Sequence, residues 1–191
     1  MIDVPTLETP RLVLRGRTQQ DFDDYAAMWA DPEVARYTSG APLAREDAWR
    51  NFGRLAGVWQ LSGYGPWIVR DKASGAFVGD VGPADYRRDS EPLFGDKVEF
   101  GWALAPASQG RGLATEALLA TLEWSRARLG ASIFCAMIDG GNAASRAVAR
   151  KAAEMLLLPL AAMTRRRQGA MSLPPRAATF GMKLFPLAGM S

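Results

Sequence analysis

The sequence predicts a single mixed α/β domain over residues 1–191, and three observations support this prediction. The chain is 48% hydrophobic and 23% charged, which suits one globular domain with a substantial core. Apolar residues recur at helical spacing in some segments and alternate with polar residues in others. The resulting order is strand, two helices, antiparallel meander, helix, strand, helix, and the last part implies parallel pairing through a crossover.

The first third predicts one strand and two helices. Leu12, Val13 and Leu14 lie near arginines and indicate the strand. Thr18 followed by Asp21 resembles a capping box at the start of the first helix. Each helix has apolar residues on one face: Phe22, Tyr25, Ala26 and Trp29 in the first, and Ala48, Phe52, Leu55, Ala56 and Trp59 after Pro42 in the second.

The middle of the chain predicts the meander. Strand-like runs at 67–69 and 77–78 flank a turn signal at 71–75, as in a β-hairpin. Apolar residues at every second position, Val98, Phe100, Trp102 and Leu104, predict a third strand at 97–105, which Pro106 ends.

The following segments predict helix, strand and helix. A helical pattern covers 112–129, and Gly130 is well placed as its C-terminal cap. The continuous apolar run at 133–138 is typical of a buried strand. Asn142 is a favourable N-cap for a helix that continues to about Glu154.

Composition excludes several kinds of chemistry. The absence of histidine rules out Ser-His-Asp hydrolases, Cys-His proteases and histidine-ligated metal sites. The one cysteine, Cys135, allows neither an intrachain disulfide nor a Cys-rich zinc site, and its apolar surroundings indicate an inert thiol. We therefore expect no metal.

Charge and hydropathy indicate where the protein works. A net charge of +3 gives no reason to expect a nucleic-acid partner. The N-terminus lacks the pattern of a signal peptide, and the longest apolar stretch, 155–163, is interrupted by Pro159 and too short for a membrane span. We expect a cytoplasmic protein with neither a nucleic-acid nor a membrane partner.

The most informative segment, at 109–117, reads QGRGLATEA and lies between a strand and a helix. Glycines there let backbone N–H groups point outward, and with the helix dipole and Arg111 they form an anion site suited to a pyrophosphate. A P-loop is excluded because no lysine follows the second glycine, and a dinucleotide loop because its third glycine is replaced by Thr115. A coenzyme A pyrophosphate loop and a glycine-rich turn without ligand stay open.

Several motifs in order resemble the GNAT N-acetyltransferase superfamily. They are VEFGWALAP at 98–106 and the loop at 109–117, joined by LETPRL at 7–12, DPEVARY at 31–37 and NAAS at 142–145, which resemble its ribosomal-protein-alanine acetyltransferase branch. The resemblance covers roughly the first 150 residues. It implies a mixed, mostly antiparallel twisted sheet flanked by helices, with a V-shaped gap between two splayed parallel strands where acetyl-CoA binds.

The resemblance also implies site residues. The strand with Trp102, Ala103 and Leu104 binds the pantetheine arm through its backbone. Asn142 and Ser145 match a motif near the pantetheine and thioester. The pyrophosphate loop comprises Gln109, Gly110, Arg111, Gly112, Leu113, Ala114 and Thr115.

A catalytic scheme follows from direct attack of a neutral amine on the thioester. A backbone N–H near Ala103 or Leu104 stabilises the developing negative charge. Glu99 matches the family's position for a proton acceptor, although a solvated or ion-paired strand glutamate is the alternative. Many members of the superfamily that the chain resembles use a tyrosine to protonate the departing thiolate, but no tyrosine follows Tyr86 here. The resemblance therefore leaves Ser145 or water as the proton donor, or a thiolate that leaves unassisted. Asn142 and Ser145 have structural alternatives, an N-cap and an ordinary first-turn residue.

The resemblance fades after Lys151. A reading-frame change near codon 152 and a divergent hairpin are two explanations for this atypical part, in which period 2 returns only at 179–185. Arg165, Arg166 and Arg167 are either a phosphate site or a solvated basic turn.

The favoured function is transfer of an acetyl group from acetyl-CoA to a primary amine, on a protein N-terminus or a small molecule. The alternative is a catalytically weak acyl-CoA-binding module with an altered C-terminal acceptor site. Monomer and homodimer both stay open.

Overall fold

The computed structural model describes residues 3–87, 98–130, 133–156 and 181–185. Their strands form one sheet in the order β1 to β7. Neighbours from β1 to β5 pair antiparallel, and β5–β6 and β6–β7 pair parallel. The strands are β1 (Leu7–Glu8), β2 (Leu12–Arg15), β3 (Trp67–Asp71), β4 (Phe77–Ala84), β5 (Val98–Leu104), β6 (Ile133–Met137) and β7 (Gly181–Phe185).

The helices confirm the predicted pattern and add one short element. The predicted helices are α1 (Phe22–Trp29), α3 (Arg45–Ser62), α4 (Leu113–Leu129) and α5 (Ala143–Met155), and the added one is α2 (Pro32–Ala35). Asp31 caps α2 by accepting the N–H groups of Glu33 and Val34, and Pro32 suits its first position. Gly130 ends α4 in the left-handed conformation, as its position predicts.

Apolar side chains pack on both faces of the sheet. Trp67 and Val69 of β3 join a cluster with α4 and α5, whereas Ile68 between them joins a cluster with α1 and α3. This alternation follows from the period of two in a strand. The sheet is therefore the middle layer of a three-layer domain.

The corner between β2 and α1 is held by Asp21, which has no exposed surface. Arg15 donates two hydrogen bonds to its carboxylate at 2.8 and 2.7 Å, and Arg70 donates two at 3.2 and 2.8 Å. The Thr18 N–H donates at 2.8 Å, which confirms the predicted capping box. Burial alone would raise the pKa of Asp21, but these bonds hold that pKa well below its usual value.

Strands β5 and β6 separate soon after they meet. Their parallel pairing has two register positions, Val98 with Phe134 and Glu99 with Cys135, whereas β5 stays paired with β4 as far as Leu104. Beyond Glu99, the β6 edge of β5 therefore has no strand partner among the described residues. This is the V-shaped splay that the family resemblance implies.

The chain after α5 is described only at 181–185. Strand β7 lies within the stretch 179–185 where the sequence shows period 2. Most of the residues that would decide between a reading-frame change and a divergent hairpin lie outside the described residues. Arg165, Arg166 and Arg167 lie there too.

Candidate active site

The open edge of β5 presents backbone groups of Trp102 and Leu104. The Ala105 N–H donates to the Val78 carbonyl of β4 at 2.9 Å, and successive N–H groups of a strand face opposite edges, so the Leu104 N–H faces the gap. The Ala103 carbonyl lies against β4, where a Cβ on Gly79 would be only 2.1 Å from its oxygen. Of the three predicted pantetheine-binding residues, two thus offer their backbone to the gap and Ala103 offers its own to β4.

The predicted pyrophosphate loop lies at the carboxyl end of β5. Gly110 and Gly112 have φ angles of +71° and +77°, which favour glycine. Within the described part of the chain, the N–H groups of residues 110–115 have no hydrogen-bond acceptor, whereas the Glu116 N–H already donates to the Gly112 carbonyl. The Gln109 side-chain Nε2 donates a hydrogen bond to the Leu104 carbonyl at 3.0 Å, which fixes the start of the loop.

The start of α5 meets the same strand. The Asn142 carboxamide oxygen accepts the Ser145 N–H at 2.9 Å, which confirms its N-cap role. The Ser145 hydroxyl accepts the indole N–H of Trp102 at 3.3 Å and so links α5 to β5.

A cavity of about 490 Å³ adjoins these residues. Its lining includes the predicted residues Glu99, Trp102, Ala103, Asn142 and Ser145, and leaves out the loop at 109–115. The rest of its wall includes Trp29, Tyr37, Thr38, Ser39, Asp47, Asn51, Arg54, Asp80, Tyr86 and Asp139.

Gly101 lines the cavity, and its cross-strand partner is also a glycine. Gly82 pairs with Gly101, and on the same face Asp80 pairs with Ala103 and Ala84 with Glu99. The Tyr86 hydroxyl lies over Gly101, since a Cβ on Gly101 would be 2.8 Å from its oxygen. Two carboxylates, Asp80 and Glu99, therefore lie on the same face of the sheet, at opposite ends of the Gly82–Gly101 pair.

Both carboxylates are buried, at 6% exposure. This burial contradicts the solvated alternative for Glu99. Asp80 lies 3.8 Å from the Arg17 guanidinium, beyond hydrogen-bond distance. Burial raises the pKa of Asp80 to about 6, although Arg17 and Arg54 act to lower it.

Arg17 is itself incompletely satisfied. Its side chain is 4% exposed, and its Nε and Nη1 are buried with no hydrogen-bond partner in the described part of the chain. The guanidinium lies over the Phe52 and Tyr25 rings at 5.1 and 5.8 Å from their centroids. Sequence reasoning missed Arg17, Asp80 and Tyr86; the available signal was a lone acid within the apolar run of β4.

Cys135 is fully buried, with its Sγ 3.6 Å from the Val98 carbonyl. This environment fits the structural role that the sequence predicts. Among the described residues, no group of three or more acidic or cysteine side chains is arranged to hold a metal. The helices of the described part are all too short or too polar to cross a membrane.

Comparison with known proteins gives consistent matches. Residues 11–153 match the model of the acetyltransferase (GNAT) domain family. YkkB of Bacillus subtilis is 31% identical over 144 residues, which cover 72% of this chain and 79% of that protein. A GNAT-family acetyltransferase from Bordetella pertussis has a TM-score of 0.67 at 31% identity, over 78% of this chain and 87% of the other.

A second similar structure carries a ligand. RimL, described as a ribosomal L7/L12 alpha-N-protein acetyltransferase in complex with coenzyme A, has a TM-score of 0.62. It is 18% identical over 78% of this chain and 82% of its own, so the likeness is one of fold.

Proposed function

The chain belongs to the GNAT acetyltransferase family and is an acyl-CoA-dependent N-acetyltransferase, and from this premise we propose that it acetylates a primary amine by direct attack within a ternary complex. The observation that carries the proposal is that β5 is accessible both along one edge and on one face. Its edge is open toward the gap, and its face forms part of a cavity with two buried carboxylates.

The gap and the loop fit acetyl-CoA. N–H groups of 110–115 without acceptors, at the start of a 17-residue helix, suit a pyrophosphate, and Arg111 adds positive charge. The backbone of Trp102 and Leu104 suits the amide groups of a pantetheine arm. When bound, acetyl-CoA supplies the thioester carbonyl that the amine attacks.

The Leu104 N–H is our candidate for stabilising the charge that develops on that carbonyl oxygen. It faces the gap, and β5 holds it rigidly through pairing with β4. A preorganised donor of this kind is worth about 3 kcal/mol in the transition state.

Glu99 is our candidate for accepting the proton of the incoming amine. It is buried, it lines the cavity, and it shares a strand with Leu104. Asp80 is the second candidate, because its raised pKa and its place opposite Ala103 also suit a proton acceptor.

The Ser145 hydroxyl is our candidate for protonating the departing thiolate. It accepts a hydrogen bond from Trp102, and among the described groups its own proton has no acceptor. Tyr86, whose hydroxyl also borders the cavity, is the alternative.

The acceptor is either a protein N-terminus or a small amine. The activity named for RimL favours the first, as does the branch that the sequence motifs resemble. A cavity of about 490 Å³ has room for one N-terminal residue or a small amine. Cytoplasmic location and oligomeric state stay predictions.

The donor site is tested with Gly110→Asp and Gly110→Asn. Both side chains tolerate the left-handed conformation, so the pair separates charge from backbone strain. Acetyl-CoA and desulfo-CoA should raise the stability of the wild type by about 2.7 kcal/mol at a hundredfold excess over Kd. Gly110→Asp should remove this shift, and Gly110→Asn should keep much of it.

Gly75→Asp is the matched control. Gly75 has φ +70°, against +71° for Gly110, and a Cβ there would meet no atom within 4 Å. Gly75 is not a proposed site residue, although Asp71 of its turn lies 3.8 Å from the Arg111 guanidinium. This control should leave the ligand-induced shift unchanged. No shift of the wild type at millimolar ligand would overturn the donor site, and binding without turnover of any amine would favour the acyl-CoA-binding module.

A further inference from the structure

The motif at 7–12 contacts the loop and helix α4 across the chain. Thr9 and Arg11 lie in the turn between β1 and β2, and Glu116 lies in the first turn of α4, 105 positions after Arg11. The scheme above uses none of these three side chains.

Both carboxylate oxygens of Glu116 are bound by this turn. Its Oε1 accepts the Thr9 hydroxyl at 2.6 Å and the Arg11 N–H at 3.0 Å, and its Oε2 accepts the Arg11 Nε at 2.6 Å. Burial alone would raise the pKa of Glu116, but hydrogen bonds from Thr9 and Arg11 hold that pKa below its usual value. Glu116 is therefore an anion, and Arg11 is paired with it at 2.6 Å.

The pairing leaves the helix N-terminus free for another anion. A carboxylate in the first turn is attracted to the same N–H groups that the loop offers. Here Arg11 and Thr9 direct Glu116 away from those groups and offset its charge. The N–H groups of 110–115 stay without an acceptor among the described residues.

Arg11 also fixes one peptide of the loop. Its Nη1 donates to the Arg111 carbonyl at 3.0 Å. The C=O and N–H of a trans peptide point in opposite directions, so this bond directs the Gly112 N–H away from Arg11. A guanidinium can bind a carboxylate and a carbonyl at once because its donors form a rigid planar fork, which lysine lacks.

We propose that Arg11 is a positioning residue of the pyrophosphate site, which holds Glu116 aside and orients the Gly112 N–H for the ligand. The inference rests on the proposed function, since it concerns the loop assigned there to acetyl-CoA. It gives the N-terminal motif a role in donor binding.

The decisive variant is Arg11→Lys in the full chain, which keeps the charge and removes the fork. Isothermal titration with CoA should show a Kd raised about tenfold or more. The control is Lys72→Gln, which removes the Lys72–Glu8 ion pair (2.8 Å) at the same corner without touching the loop. It should leave the Kd within twofold of the wild type.

A second measurement separates positioning from general support of the fold. In ¹⁵N-glycine-labelled protein, CoA should shift the amide signals of both Gly110 and Gly112. Arg11→Lys should lose the Gly112 shift while its spectrum stays that of a folded protein. Thr9→Val, which spares the contact between Arg11 and Arg111, should raise the Kd less than threefold.

Several results would overturn the inference. Arg11→Lys could bind CoA as the wild type does, could lose affinity with the Gly112 shift intact, or could be matched by Thr9→Val. Each removes the positioning role and leaves the proposed function standing. A wild type that does not bind CoA removes both.

Discussion

The two sides of β5 that we propose for the acetyl donor and the amine acceptor are built differently. The donor side consists of backbone groups from one nearly continuous stretch, 102–115, together with the start of α5. The acceptor side consists of side chains from α1, α3, β4, β5 and the segment after β6. Donor binding therefore depends on local conformation, whereas acceptor choice depends on which distant side chains the fold brings together.

The two sides also differ in how completely their charged side chains are hydrogen-bonded. On the donor side Glu116 has a partner for each oxygen. Next to Asp80 of the acceptor side, Arg17 has two buried nitrogens, Nε and Nη1, without a hydrogen-bond partner among the described residues. Its guanidinium lies 3.8 Å from the Asp80 carboxylate. Unpaired buried polar groups cost free energy, so this region is less completely satisfied than the donor side.

The largest expected effect separates the two acceptor-side carboxylates. Glu99→Gln should lower kcat by 10² to 10⁴, the usual contribution of a general base, because no other group would take the proton as directly. The Kd of acetyl-CoA should stay within twofold, since the donor side is untouched. The measurement is thiol release from acetyl-CoA with an amine that the wild type acetylates.

Asp80→Asn is the matched control, because it removes the other buried carboxylate of the same cavity. It should lower kcat less than tenfold. The reverse order of losses would assign the proton to Asp80 and end the proposed role of Glu99.

The next effect is the pH dependence of stability. Because the folded-state pKa of Asp80 is raised, the folded state binds its proton more tightly than the unfolded state does. Its contribution is present below about pH 4 and is lost as pH rises through about 6, by roughly 2–3 kcal/mol in total. Asp80→Asn should flatten the curve of unfolding free energy over this range, measured by urea denaturation.

Asp21 supplies the contrasting window. Its pKa is lowered, so its stabilisation is present above about pH 4 and is lost as pH falls below that. Asp21→Asn should therefore change the unfolding free energy below about pH 4. The slope of the unfolding free energy between pH 4 and 6 should stay as in the wild type. An unchanged slope in Asp80→Asn would contradict the raised pKa.

A smaller effect is expected at the junction of the two sides. Ser145→Ala should lower kcat about tenfold, because water replaces the hydroxyl as proton donor less effectively. Trp102→Phe removes the indole N–H but keeps the hydroxyl, and should cost less than threefold. If both variants lower kcat equally in steady-state kinetics, the hydrogen bond between Trp102 and Ser145 matters and proton donation by Ser145 does not.

The smallest effect concerns the glycine pair. Gly101→Ala would bring a Cβ within 2.8 Å of the Tyr86 hydroxyl and should cost about 1 kcal/mol, since the tyrosine can shift. Tyr86→Phe in the same chain should recover most of that loss in thermal unfolding. Gly53→Ala, in open space on α3, should stabilise instead. Failure of Tyr86→Phe to recover stability would show that the contact is unimportant.

Sequence reasoning located most of the helices and strands, and it also predicted the residues of the donor side, whose roles stay predictions. The helical period located α1, α3, α4 and α5, and the glycines of the loop require a backbone that few other residues adopt. It missed β1 and α2, whose two and four residues are too short for a period to appear.

What the sequence by itself determined is local: where helices and strands run, where the loop turns, and the family to which the ordered motifs belong. Short-range sterics, capping and periodicity set these features. Only the tertiary structure decided that Asp80 faces Glu99 across two glycines, that Tyr86 covers Gly101, and that Arg11 reaches Glu116. Such contacts depend on strand register and packing between distant segments, because a shift of one residue turns every side chain of a strand to the other face.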